Sequence, residues 1–271
     1  MKTIGLSAFV VFGVLLLNEA SAAQTAWQDT GGGRARLSAI VDPATNKVLA
    51  AVKFELKPGW KTYWREPGGS GIPPQFDFSK SKHFTAGEVA FPAPQLLKAG
   101  DSTFAGYRGE TAFFFEGIVI DATSAGSIVL DLLAGVCEEI CIPAQMHFEL
   151  PFSAMNVSDA EAIAEIEQAQ AALPGKPVAG WSVTEVKFDG ENGLLVSADI
   201  ASGASPVLFS EGPAKWYLQQ SELLSTDDSH AVFRVKIADR PKDGDVTRAI
   251  FRFTLVDGNK AIEQFLSPKL H

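Results

Sequence analysis

The chain has 271 residues, a formal net charge of -9 and a pI near 5.0, which argues against nucleic acid or an anionic membrane surface as its partner. Hydrophobic residues make up 46% of the chain and include 19 Phe, enough for packed cores, so global disorder is excluded. Cys137 and Cys141 are the only cysteines, and any redox or metal chemistry of sulfur must occur there.

The N-terminus has the pattern of a secretory signal peptide. Lys2 precedes an apolar run over residues 4–17, and small residues follow at 20–23. We therefore expect residues 1–23 to be removed on export and the mature chain to reside in the periplasm, where disulfides form. No later run approaches the ~18 apolar residues needed to span a bilayer, so no membrane insertion is expected.

Alternating apolar residues predict an all-β first domain over residues 24–155. Residues 35–41 and 48–56 both place apolar side chains at every second position, which is typical of antiparallel strands. Further strands are expected at 88–91, 111–120, 128–133 and 144–150. The segment 60–78 is rich in aromatic residues, Gly and Pro, and is expected to form an ordered loop without regular structure.

Residues 156–177 are predicted to form a helical linker. Ser158 and Glu161 have the spacing of a capping box, and apolar residues follow at helical intervals until Pro174. The β pattern then resumes over residues 178–271, which predicts a second β-sandwich-like domain. Its alternating runs lie at 194–200, 231–237, 249–255 and 261–266. This domain has no cysteine, and we assign it a binding or spacing role.

The two cysteines lie where the strands at 128–133 and 144–150 join. Residues i and i+4 of one extended strand are about 13 Å apart, whereas a disulfide needs Cα atoms roughly 4.4–6.8 Å apart. A disulfide between Cys137 and Cys141 therefore requires a turn, or one helical turn, over residues 138–140. Because such a short loop adds little to global stability, the spacing favours a redox role. The alternative is a stabilising bridge in an exported protein.

The local sequence indicates the direction of electron flow. No His or Lys stands beside the pair in sequence, and the carboxylates of Glu138 and Glu139 disfavour thiolates through like charge. Since poor thiolates make a poor oxidant, we interpret the pair as passing reducing equivalents onward.

Several short motifs follow one another over about half of the chain. They are GWKTYWREPG at 59–68, SGIPP at 70–74, FPAPQ at 91–95, FAGY at 104–107 and VCEEICIP at 136–143. Together they resemble the N-terminal periplasmic domain of the thiol:disulfide interchange protein DsbD, and most closely the branch found in copper-sensitivity suppressor B (ScsB) proteins.

This resemblance implies an immunoglobulin-like β-sandwich with a redox-active cysteine pair and no cofactor. It further implies a thiol-disulfide oxidoreductase that receives electrons from a membrane transporter of the DsbD/CcdA type through a thioredoxin-like domain, and passes them to periplasmic acceptors. The chain has neither that membrane domain nor a thioredoxin-like domain, so we expect its reductant to be another polypeptide.

The resemblance also implies roles for individual residues. Cys141 forms the mixed disulfide with partners, and Cys137 resolves it. The segment 101–107 matches the loop that caps the pair, with Phe104 as the covering residue and Tyr107 as the second choice. Phe104 anchoring that loop to the core is an open alternative. Tyr63 either lines the active site or caps the core, and the latter role is assigned to the two neighbouring tryptophans.

A copper site is the rival hypothesis for the same cysteines. Two thiols with Met146 and His147 form a plausible soft-ligand set for Cu(I). Met146, however, shares a strand face with Phe148 and is expected in the core, while His147 is expected in solvent. A copper-binding or copper-tolerance role through the cysteines alone is therefore the alternative, with no further metal ligand assigned. A non-redox adhesion or carbohydrate-binding sandwich would keep the pair permanently bonded.

Overall fold

The computed structural model describes residues 23–68, 71–99, 102–121, 123–155 and 159–269. The predicted signal peptide up to residue 22 lies outside this part, as does Ser158. The described residues form nineteen β-strands and one α-helix. No helix within them is long and apolar enough to cross a membrane.

Two antiparallel sheets form the first domain. In the first, the strand order is β1 (Gln28–Asp29), β2 (Gly33–Val41), β3 (Lys47–Leu56), β9 (Glu110–Val119) and β6 (Phe84–Ala86). In the second, the order is β11 (Cys141–Pro151), β10 (Ser127–Cys137), β4 (Lys61–Tyr63), β8 (Ser102–Arg108) and β7 (Gln95–Ala99), and β5 (Gln75–Asp77) also pairs with β10.

The core of the first domain lies between these sheets. Alternate residues of β3, including Val52 and Phe54, are fully buried, and they pack with residues of the second sheet such as Leu130 and Phe148. Each large apolar side chain buried in this way stabilises the fold by about 1.5–3 kcal/mol. The predicted immunoglobulin-like sandwich is confirmed.

Three local predictions in this domain were wrong. Segment 60–78 is not free of regular structure, because it contains β4 and β5. Residues 88–91 form only one isolated bridge, between Ala90 and Phe114, and the strand nearby is β6. Segment 101–107 is largely the strand β8. In each case short strands are stabilised by neighbours distant in sequence, which local patterns do not record.

Helix α1 (Ala160–Ala171) packs on the outer face of the first sheet. Its Ile166 and Ala169 contact Ala51 and Phe114, which point away from the sandwich core. The helix begins at Asp159, whose carboxylate accepts a hydrogen bond from the backbone N–H of Ala162 at 3.0 Å. The segment predicted as a linker is therefore also a layer of the first domain. A 3₁₀ turn (Phe152–Ala154) precedes it.

The second domain is a smaller pair of antiparallel sheets around its own core. One sheet has the order β12 (Ser182–Phe188), β13 (Gly193–Asp199), β17 (His230–Asp239) and β15 (Tyr217–Leu218), with β16 (Glu222–Thr226) also on β17. The other has the order β14 (Val207–Glu211), β18 (Phe251–Asp257) and β19 (Lys260–Leu266). The four predicted strands correspond to β13, β17, β18 and β19, whereas β12 and β14–β16 were not predicted.

The two domains share a packed junction. The Phe209 ring lies 5.6 Å from that of Trp64 and contributes to the core of the first domain. Beside it, Arg65 donates to Glu211 at 2.7 Å and to Glu263 at 2.5 Å. Burial alone would lower the pKa of Arg65, but these carboxylates raise it, so the guanidinium stays charged. The junction thus begins directly after Tyr63, at the end of β4.

Candidate functional site

The cysteine pair closes the longest hairpin of the first domain. Strands β10 and β11 pair along their whole length, from Ser127 opposite Pro151 to Cys137 opposite Cys141. The Cα atoms of the two cysteines are 4.1 Å apart, and their sulfurs form a disulfide. Residues 138–140 provide the turn that the sequence predicted.

The two cysteines differ in exposure. Cys137 is 1% exposed and belongs to a small apolar cluster with Tyr63, Leu97 and Phe104. Cys141 is exposed, like the residues of the turn before it. Because thiol-disulfide exchange needs in-line approach to a sulfur, a protein partner can reach Cys141 but not Cys137.

Strands β4 and β8 provide the wall around Cys137. Tyr63 ends β4 and is 5% exposed, and its ring centre lies 5.1 Å from that of Phe104 on β8. Phe104 itself is 1% exposed. The residue proposed as a cap is therefore a buried strand residue that packs beside Cys137.

The Tyr63 hydroxyl lies between the two sulfurs. Its oxygen is 3.1 Å from the Sγ of Cys141 and 3.3 Å from the Sγ of Cys137. A disulfide sulfur carries no hydrogen, so the hydroxyl is the donor to either sulfur. Burial raises the pKa of Tyr63, which keeps this donor protonated at neutral pH.

Gly71 lets the backbone pass close to the Tyr63 ring. Gly71 has a φ of +122°, in a region that side chains disfavour, and a Cβ built there would lie 2.4 Å from the ring. The chain beyond β4 can therefore close directly over the ring face. This close approach explains why a Gly-rich segment follows the Tyr63 strand.

Tyr107 does not belong to the site. It lies three residues after Phe104 on β8, so its side chain points to the opposite face, into the core of the first domain. Its ring packs edge-on against Phe113, and its hydroxyl donates to the Pro92 carbonyl at 2.8 Å. Its assignment as a second covering residue is corrected by this placement.

Met146 and His147 do not join the cysteines as copper ligands. Met146 is 3% exposed within the core, and His147 faces the other way, with Nδ1 2.6 Å from a carboxylate oxygen of Asp131. Met146 also lies five positions along the strand from Cys141, a distance of roughly 16 Å. Among the described residues, no group of three His, Cys, Asp or Glu could hold a metal ion.

Sequence reasoning missed one charged neighbour of the pair. Lys61 is paired with Cys137 across β4 and β10, although they are far apart in the chain. No His or Lys stands near the pair in the sequence, but Lys61 is near it in space. No local signal pointed to this contact, because it depends on the pairing of the three-residue strand β4.

Residues 34–153 match the family model described as "Thiol:disulfide interchange protein DsbD, N-terminal". The first domain belongs to this family. The matched region contains both cysteines and all the strands that surround them, so this DsbD-type domain is a thiol-disulfide interchange domain.

A solved structure agrees with the fold of both domains. The crystal structure of the N-terminal periplasmic domain of ScsB from Proteus mirabilis matches with a TM-score of 0.75 and 22% sequence identity. The match covers 92% of this chain and 100% of that one. No curated protein sequence matches the chain significantly.

The disulfide is expected to be reducible without loss of the fold. It closes only a five-residue loop at the end of a hairpin, whereas the core lies between the sheets, so its contribution to stability is small. Treatment with a mild dithiol should free both thiols and leave the far-ultraviolet circular dichroism unchanged. Loss of the β signal on reduction would identify the bond as a structural staple.

Proposed function

We propose that this protein is a soluble periplasmic thiol-disulfide exchange protein. It would take reducing equivalents from a membrane electron transporter, through a thioredoxin-like domain, and pass them to periplasmic acceptors. The observation that carries the proposal is the disulfide between an exposed Cys141 and a buried Cys137 in a DsbD-type domain.

The exchange begins at the exposed sulfur. A thiolate of the reducing partner attacks Cys141 Sγ, a mixed disulfide forms, and the electron pair of the broken bond passes to Cys137. The second thiolate of the partner then attacks the partner's own sulfur in the mixed disulfide. This releases Cys141 as a thiolate and leaves the partner oxidised.

Delivery to an acceptor runs in the opposite sense. The Cys141 thiolate attacks the acceptor disulfide, and the Cys137 thiolate then attacks Cys141 Sγ to expel the reduced acceptor. The Tyr63 hydroxyl donates a hydrogen bond to whichever sulfur carries negative charge. Phe104 covers Cys137 against small oxidants throughout the cycle.

Location and partners are inferred from three observations. The sequence begins with a signal-peptide pattern, the first domain belongs to the DsbD family, and the similar solved structure is described as a periplasmic domain. Together they favour a periplasmic location and a membrane electron transporter as the source of electrons.

The redox state in living cells tests this proposal. Deleting the inner-membrane electron transporter of the host should make Cys137 and Cys141 accumulate as the disulfide, because their source of electrons is lost. The measurement is alkylation of the protein in acid-quenched cells. The reagent adds a fixed mass to each free thiol, so the mass of the protein reports its number of free thiols. An unchanged thiol content in every transporter deletion would contradict the shuttle. If Cu(I) protects the thiols from alkylation and no thiol reductase changes their redox state, the copper hypothesis is favoured.

A further inference from the structure

Lys61 has a largely buried side chain beside the cysteine pair. It is 8% exposed and stands opposite Cys137 in the pairing of β4 with β10. Opposed residues of antiparallel strands point to the same face, with Cβ atoms about 4.5–5.5 Å apart. The side chains of Lys61 and Cys137 therefore leave the sheet side by side. The ammonium nitrogen lies 5.6 Å from the centre of the Phe104 ring.

Lys61 has no acidic partner within the described part of the chain, and its ammonium faces the Phe104 ring. The stem of Lys61 is enclosed by the protein, while the ammonium at its end keeps contact with solvent. By contrast, the ammonium of Lys53 is surrounded by the carboxylates of Glu55, Glu110 and Glu165. An ammonium without a carboxylate partner can pair with a negative charge that forms nearby. The missing counter-ion appears when the disulfide is reduced.

We propose that Lys61 is the counter-ion of the Cys137 thiolate and a positioning residue for thiol-disulfide exchange; this inference rests on the proposed function. When a partner thiolate attacks Cys141 Sγ, the electron pair of the broken bond passes to Cys137. The nearby ammonium offsets this charge at the edge of the small apolar cluster around Cys137. In the return step the same ammonium keeps Cys137 ionised, so that it can attack Cys141.

Other titratable groups face the pair, but they are placed less favourably. Glu138 and Glu139 lie in the exposed turn, where water and salt screen their carboxylates. Tyr63 contributes a neutral hydroxyl. Arg108 stands opposite Lys61 on β8 and is exposed. Its strand is one farther from Cys137 than the strand of Lys61, which adds a strand spacing of about 4.8 Å. Lys61 is thus the cation whose field at Cys137 is screened least.

Titration of the reduced protein tests the assignment. In Lys61→Met, which keeps an apolar stem, thiolate formation followed by far-ultraviolet absorbance should move about one pH unit upward, a roughly tenfold loss of thiolate at a given pH. Lys61→Arg should restore the wild-type midpoint. Arg108→Met removes the same charge from the neighbouring strand and should shift the midpoint much less. Lys61→Gln provides a second neutral variant if Lys61→Met does not fold.

A redox equilibrium gives an independent readout. Losing the ammonium destabilises the reduced form, in which Cys137 is a thiolate, so Lys61→Met should hold its disulfide more strongly against glutathione, by about tenfold or ~30 mV. The assignment would be overturned if folded Lys61→Met and Lys61→Gln both kept the wild-type midpoints of thiolate titration and of the glutathione equilibrium. Equal shifts in Lys61→Met and Arg108→Met would overturn it as well. Neither measurement uses a protein partner. If the variants show these shifts but the wild-type protein exchanges with no thioredoxin-like protein, the proposed function is refuted and the role of Lys61 remains intact.

Discussion

Replacing Cys137 with Ser is expected to leave Cys141 covalently joined to a thioredoxin-like partner. Cys141 is exposed and can form the mixed disulfide, but the buried thiol that would release the partner is gone. The partner should keep only its attacking cysteine, supplied as a mixed disulfide with thionitrobenzoate, because a second partner thiol would also release Cys141. The effect should then be nearly all-or-none, since the remaining route of release is a slow reaction with external thiols. Non-reducing electrophoresis followed by mass spectrometry of the captured band measures it.

The matched control is Cys141→Ser. It also keeps a single cysteine, but Cys137 lies under Tyr63 and Phe104 at 1% exposure and should capture nothing. Capture by Cys141→Ser with none by Cys137→Ser would reverse the roles of the two cysteines. Equal capture by both variants would show that exposure in the disulfide state does not determine the attacked sulfur.

The hairpin at the centre of the site could be predicted because its signal is local. Strand β11 alternates apolar and polar residues after the cysteines, β10 is a mostly apolar run before them, and the spacing requires a turn. The same local reasoning located β13 and β17 in the second domain. Period-2 alternation reports which face a strand buries, and it needs no information on the neighbouring strand.

The wall around Cys137 could not be predicted in this way. Tyr63 and Lys61 reach the sulfurs because β4 inserts between β10 and β8, and a three-residue strand has no periodicity to detect. Phe104 and Tyr107 were interpreted as residues of one loop. In a strand, their separation by three positions places them on opposite faces, so only Phe104 reaches the site.

The packing of helix α1 on the first sheet corresponds to runs of consecutive apolar residues in β3 and β9, which period-2 alternation does not explain. Ala50, Ala51 and Val52 are consecutive buried residues on β3, and Phe113 to Phe115 on β9 are all apolar. Such runs are typical of strands covered on both faces. Ala51 and Phe114 are the residues that helix α1 covers.

Replacing Phe104 with Ala is expected to increase the reaction rate of the reduced pair with small alkylating reagents by roughly tenfold. The Phe104 ring is fully buried against Tyr63 and Cys137, so its removal opens a path to the sulfur that was previously covered. Truncating a buried Phe typically costs about 3–5 kcal/mol. Alkylation must therefore be measured well below the melting temperature, where the folded form still predominates.

Phe115→Ala separates local uncovering from general loosening of the domain. Phe115 is also fully buried, on β9 in the core of the same domain, but it is not part of the cluster around Cys137. It should lose comparable stability with unchanged alkylation of the thiols. If both variants react faster to the same degree, opening of the whole domain explains the result. If Phe104→Ala loses stability while its thiols react at the wild-type rate, Phe104 anchors its strand and does not shield the pair.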